Sequence, residues 1–180
     1  MEKTRESKAR KVRDRLRLNL PLALVAVFLY ILLHEFGHVI VLWSVEADIT
    51  EFSITGAHVN YIGGQWTNTS DLWMQLNGTL FPLIVALGCM FLYRRNVENR
   101  LYRVASFFLS LIPIASLVAW IVIPFMFMCG NAPEGDDVYK FLYNFTFDHP
   151  AWFVSLGATI LMLFCIFVAI KKGLFRNFLD

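Results

Sequence analysis

Residues 31–42 read Ile-Leu-Leu-His34-Glu35-Phe-Gly-His38-Val-Ile-Val-Leu. The segment lies within an apolar run from about Leu18 to Ser44, which is long enough to cross a bilayer as a helix. Ionisable side chains are costly at that depth, so a cluster of them indicates a functional site. On a helix, His34 and His38 lie one turn apart and face the same way.

The spacing of these three side chains is the His-Glu-x-x-His pattern, which is typical of zinc sites. Two neutral imidazoles at positions i and i+4 can both reach one zinc ion at about 2.0–2.1 Å. Glu35 then points beside the metal, where a carboxylate can take a proton from a water that zinc activates. The pattern therefore predicts His34 and His38 as metal ligands and Glu35 as the catalytic base.

The composition indicates a membrane protein. Of 180 residues, 57% are hydrophobic and 17% are charged, whereas soluble domains are nearer about 45–50% and about 25%. The apolar residues form four blocks, which predict helices because a helix satisfies its own backbone in lipid. The predicted spans are about 18–44, 72–93, 101–129 and 152–170. The predicted fold class is an all-α polytopic membrane protein with about four transmembrane helices, forming a single domain over residues 18–170.

The stretch after the first span has a different pattern. Residues 46–66 alternate partly between apolar and polar side chains and are punctuated by Gly56, Gly63 and Gly64. This pattern predicts a short β-hairpin or extended loop after the first transmembrane helix.

Basic residues predict the topology. Eight of them fall in residues 1–17, four arginines lie between the second and third spans, and three more follow the fourth span. By contrast, residues 46–71 have no Lys or Arg, and residues 130–151 have only Lys140. The positive-inside rule therefore predicts a cytoplasmic N-terminal segment (1–17) and a cytoplasmic tail (171–180) in a multi-pass protein. The adjacent apolar span favours a membrane anchor over a nucleic-acid-binding arm, so no nucleic-acid partner is predicted.

The residues alone leave the third metal ligand open. A catalytic zinc site takes three protein ligands and keeps one open position. If the segment after the third span turns into a helix, its two aspartates lie at the N-terminus, where negative charge is favoured, and one of them is expected to be the N-cap. The candidates by residue type are Asp136, Asp137, His58, Asp148, His149 and Glu46.

His34-Glu35-Phe36-Gly37-His38 in the first membrane helix resembles the site-2 protease family of intramembrane zinc metallopeptidases, peptidase family M50. That family follows the same element with a β-hairpin region and takes its third ligand from an Asp near the start of a later helix. Residues 77–82 (Asn-Gly-Thr-Leu-Phe-Pro) are similar to its Asn- and Pro-containing helix motif, and residues 135–142 to its Asp-containing segment. The resemblance implies Asp137 as the third ligand, with Asp136 as the second choice.

The resemblance also implies a function. The expected activity is that of a zinc metalloendopeptidase, which hydrolyses a peptide bond in or near a transmembrane segment of a membrane-protein substrate within the lipid bilayer. Two alternatives remain, because intramembrane His and carboxylate clusters also mark ion paths. One is a zinc transporter or sensor, and the other is a catalytically inactive, protease-like membrane scaffold.

Overall fold

The computed structural model describes the backbone of residues 2–145 and 150–179, and the side chains of residues 16–145 and 150–179. Four of its helices are long and apolar enough to cross a membrane, which indicates a membrane protein. The predicted fold class, with a hairpin after the first helix, is confirmed. The elements are α1 (Glu2–Ser44), β1 (Ala47–Ser53), β2 (His58–Gly63), α2 (Asn68–Leu92), α3 (Arg100–Met128), α4 (Asp137–Asn144), α5 (Pro150–Lys172) and α6 (Leu174–Leu179).

The candidate spans are α1 from Leu16 onward, α2, α3 and α5. Successive spans run in opposite directions, because in each pair the contacts advance along one helix as they recede along the next. The contacts are His38 with Met74 and Phe36 with Phe81, Thr79 with Trp120 and Tyr93 with Tyr102, and Ile121 with Ser155 and Phe125 with Trp152. The ends of the helices therefore gather at two faces of the bundle. We call the face where α1 and α3 end and α2 and α5 begin the hairpin end, and the opposite face the basic end. The short helix α6, in a segment predicted only as a tail, packs against α3 and α5 at the basic end.

Helices α1 and α2 approach each other closely at two glycines. A Cβ atom added to Gly37 would overlap the backbone carbonyl of Asn77, and one added to Gly78 would lie 2.6 Å from Nε2 of His38. The Asn77 side-chain amide donates a 2.7 Å hydrogen bond to the Gly37 carbonyl oxygen. Small residues at such a crossing let two membrane helices meet backbone to backbone, and here the crossing lies beside the histidine motif.

The antiparallel hairpin of β1 and β2 stands directly on the end of α1. Its register pairs Ala47 with Gly63 and Ser53 with His58, with one irregularity between Ile49 and Glu51. The base of the hairpin is anchored because Ala47 is buried in one cluster with residues of α1 and Met74 of α2. The hairpin is thus packed against the ends of α1 and α2 and is not a free loop.

Helix α4 is short and amphipathic. Val138, Phe141 and Leu142 recur at the i, i+3, i+4 spacing that gives a helix one apolar face, and all three are buried. They pack in one cluster with Trp120 and Ile123 of α3. Burial of this face fixes the rotation of α4 about its axis and therefore the direction in which its first residues point.

Candidate metal centre

Three side chains from two distant parts of the chain converge at the hairpin end. Nε2 of His34 and Nε2 of His38 are 3.2 Å apart. Oδ2 of Asp137 lies 3.2 Å from the first of these atoms and 3.3 Å from the second. Within the described residues, these three side chains form the one group of at least three His, Cys, Asp or Glu residues placed to hold a metal ion.

The three distances fit a small tetrahedral ion. For metal–ligand bonds of about 2.0–2.1 Å, the edge of a regular tetrahedron is about 3.3 Å. All three sides of the observed triangle have nearly this length. A charge-assisted hydrogen bond is shorter, at about 2.7–2.9 Å. The three side chains are therefore spaced to bind one metal ion better than to bond one another.

The orientation of His38 also fits a metal ligand. Its Nδ1 atom lies 2.8 Å from the backbone carbonyl oxygen of Met74. A carbonyl can only accept, so Nδ1 carries the proton and the lone pair is left on Nε2, which faces the cluster. Nδ1 of His34 is buried and has no hydrogen-bond partner among the described residues, so the ring of His34 is held less firmly than that of His38.

Helix α4 separates the roles of its two aspartates. Asp136 is the N-cap, and its Oδ1 accepts a 2.8 Å hydrogen bond from the backbone N–H of Val138. Asp137 is the first residue inside the helix, and its carboxylate turns to the histidines. Neighbouring positions on an α-helix point about 100° apart. Because the buried apolar face fixes the rotation of α4, only one of the two aspartates can point toward the histidines. The structure thus brings Asp137, and not Asp136, to the histidine pair.

The electrostatics of the two aspartates differ accordingly. Burial by itself would raise the pKa of Asp137, but the His34 and His38 rings beside its carboxylate outweigh burial and hold that pKa well below its usual range. Burial raises the pKa of Asp136, and the hydrogen bond from Val138 offsets only part of this effect. The ionised form that a metal ligand needs is therefore favoured at Asp137.

Glu35 is buried although it carries an ionisable group, with only 3% of its surface exposed. It lines the same cavity of about 360 Å³ as the three converging side chains. One residue along α1 from His34, it is turned beside the cluster rather than into it, and it is not one of the three converging side chains. A carboxylate at this position can exchange protons with a molecule held in the cavity.

The hairpin and α4 form the remaining walls of this metal cavity. Residues 57–59 and Tyr61 line it from the hairpin, and Met74 and Gln75 line it from α2. Gly135, Asp137 and Lys140 line it from the start of α4 and the turn before it. The cavity is thus enclosed by elements far apart in the sequence, and it contains both polar and apolar surface.

The other sequence candidates for the third ligand lie elsewhere. Nε2 of His58 lies 3.5 Å from a carboxylate oxygen of Glu51, at the cavity wall but outside the converging group. A hydrogen bond with the Gly56 backbone raises the pKa of His58, and Glu51 adds to this effect. Glu46 accepts a hydrogen bond from the side chain of Gln65. Asp148 and His149 lie outside the described residues.

Several residues shape the site although the motifs found in the sequence assign them no role. Met74 contributes its carbonyl to His38, and Gly78 leaves room for both imidazole rings. Lys140 follows Asp137 by three residues, a spacing that places two helical side chains on one face; this signal could have found it.

No protein-family model, no curated protein and no solved structure matches the chain.

Proposed function

We propose that this protein is an intramembrane zinc metalloprotease of the site-2 protease type. The observation that carries the proposal is the equal spacing of 3.2–3.3 Å among His34 Nε2, His38 Nε2 and Asp137 Oδ2, with buried Glu35 lining the same cavity. Two imidazoles and one carboxylate are a ligand set of the catalytic zinc type, which keeps a fourth position open for chemistry.

In the proposed reaction, His34, His38 and Asp137 would hold a zinc ion, whose Lewis acidity would lower the pKa of water and polarise the peptide carbonyl. Glu35 takes a proton from the attacking water as its oxygen adds to the carbonyl carbon. Glu35 then delivers this proton to the amide nitrogen as the carbon–nitrogen bond breaks. The Met74 carbonyl fixes the tautomer of His38, so the Nε2 lone pair of His38 is available as a metal ligand. The products are a carboxylic acid and an amine, and transfer of the acid proton to the amine gives a carboxylate and an ammonium group.

The hairpin offers a way to hold the substrate. Proteolysis requires an extended backbone, whereas a transmembrane helix hides its peptide bonds in internal hydrogen bonds. In a sheet of two strands each strand has one unpaired edge, and an extended peptide can add to such an edge through backbone hydrogen bonds. Residues of β2 line the metal cavity, so a segment added along β2 would run past the ligand cluster.

The basic residues favour a cytoplasmic location for the basic end and an opposite location for the metal cavity. Cys129, an exposed free thiol at the end of α3, reports on the hairpin end. In intact cells or spheroplasts, a membrane-impermeant maleimide is expected to label wild-type protein at this thiol, with Cys129→Ser as the control. Labelling of Cys129 only after the membrane is permeabilised would contradict this orientation.

The proposed activity is tested by Glu35→Gln in purified, zinc-loaded protein reconstituted into vesicles. We expect wild type to cleave a co-reconstituted panel of single-span membrane proteins, and the variant to keep zinc while losing cleavage by at least about 100-fold, the usual worth of a general base. Cleavage by the variant at the wild-type rate would overturn the mechanism. Zinc binding without any cleavage by wild type would favour the inactive scaffold, and zinc flux into the vesicles would favour a transporter.

A further inference from the structure

Charge is distributed unevenly at the hairpin end. The described residues of the connections there, 45–67 and 129–145, contain six acidic side chains and two basic ones, His58 and Lys140. Both basic side chains line the metal cavity, one from β2 and the other from α4. These two basic side chains are therefore placed on two walls of the cavity that holds the proposed catalytic centre.

Lys140 is available for a ligand. Among the described residues its ammonium group has neither an ion pair nor a hydrogen bond. It lies one turn after Asp137 on α4, whose buried apolar face fixes the helix. His58 is oriented by the Gly56 backbone, over which its ring is folded, and Glu51 lies beside it. Lys140 thus forms no ion pair, although the Asp136 carboxylate four residues earlier attracts it electrostatically. His58 lines the same space and can donate a second hydrogen bond when its ring is protonated.

We propose that the metal cavity recognises a carboxylate of the peptide substrate, with Lys140 as the main partner and protonated His58 as a second hydrogen-bond donor. The inference rests on the proposed function and specifies its substrate class: membrane peptides with an acidic side chain, or a free C-terminus, close to the cleaved bond. Among the residues that line the cavity, Glu35 and Asp137 are acidic and Lys140 is basic. With a divalent metal bound, their charges and that of the metal sum to one positive charge, which favours an anion in the cavity. The surrounding acidic surface would repel the same group elsewhere.

The test measures binding separately from cleavage. Zinc-loaded Glu35→Gln protein in detergent micelles is titrated calorimetrically with three probe peptides: acetyl-Leu-Leu-Glu-Leu-Leu-amide, its Gln analogue, and that Gln peptide with a free C-terminal carboxylate. We expect at least one carboxylate peptide to bind about fivefold more tightly than the neutral Gln amide, the effect of one partly exposed ion pair. Tighter binding of the Glu peptide would show that the cavity binds the carboxylate of an internal side chain. Tighter binding of the free acid would show that it binds the carboxylate of the C-terminus.

Three further variants locate the preference. In the same background, Lys140→Met keeps the apolar stem but removes the charge, and we expect it to abolish the preference. His58→Gln is expected to reduce it. Lys171→Met is the matched control at the basic end, where the Lys171 ammonium lies over the Phe167 ring, and it should keep the wild-type preference.

Equal affinity for all three peptides, including binding of none, would overturn the inference, as would a preference that survives Lys140→Met. The two proposals can fail separately. Cleavage that depends on Glu35 but shows no carboxylate preference would leave the protease and remove the anion site. A preference lost in Lys140→Met, in a protein that cleaves nothing, would leave the anion site and remove the protease.

Discussion

Gly78 is the position where a single methyl group should disable the proposed metal centre without removing a ligand. A Cβ atom there would lie 2.6 Å from Nε2 of His38 and 2.8 Å from Cε1 of His34. The first distance is about 0.8 Å short of ordinary contact, which begins at 3.4 Å. The His38 ring cannot move away freely, because its Nδ1 is hydrogen-bonded to the carbonyl of Met74. Met74 lies one turn before Gly78 on the same helix.

The magnitude follows from the tolerance of a metal site. Ligand distances vary by only about 0.2 Å in a competent site, so the displacement forced by Gly78→Ala is roughly four times that tolerance. Disturbing the residues that orient metal ligands typically costs about 10–100-fold in affinity. Here a ligand itself must move, so we expect a loss of about 100-fold in zinc affinity, or about 2.7 kcal/mol.

The assay is a competition titration of purified protein against a chelating zinc dye. Gly88→Ala is the matched control, because Gly88 also lies inside α2 but a Cβ atom there would meet nothing within 4 Å. Both variants replace a helical glycine with alanine, which favours the helix by up to about 1 kcal/mol. Wild-type zinc affinity in Gly78→Ala, or an equal loss in Gly88→Ala, would refute the geometric reasoning.

Three other substitutions test the site and the helix crossing that carries it. Asp137→Asn should weaken zinc binding by at least about 100-fold, because a charged ligand is lost. Asp136→Asn should keep the wild-type zinc affinity, because Asn also caps helices well. Equal zinc affinities of the two variants in the chelator titration would contradict the separate roles of the two aspartates. Gly37→Ala should lower the melting temperature in detergent by about 5 °C. A Cβ atom at this position overlaps the Asn77 carbonyl, and we expect the overlap to cost about 2 kcal/mol of stability. An unchanged melting curve would show that α1 and α2 can separate freely.

The fold was predictable where its signals are local. The four apolar blocks and the turn-rich stretch of residues 46–66 were enough to predict four long helices and a hairpin. Helix α4 was only a conditional expectation, because eight residues with a polar start do not differ from a surface turn in composition. Its stability depends on burying Val138, Phe141 and Leu142 against α3, a contact that requires the assembled bundle.

The sequence by itself determined that His34, Glu35 and His38 share one helix in an apolar segment, because helical periodicity depends only on local spacing. It narrowed the third partner to a short set of acidic and histidine residues but could not separate Asp136 from Asp137 on spacing alone. Only the tertiary structure decided between them. The buried face of α4 sets the rotation of that helix about its axis. In this rotation the Asp136 carboxylate caps the helix, and the Asp137 carboxylate faces histidines about 100 residues earlier in the chain.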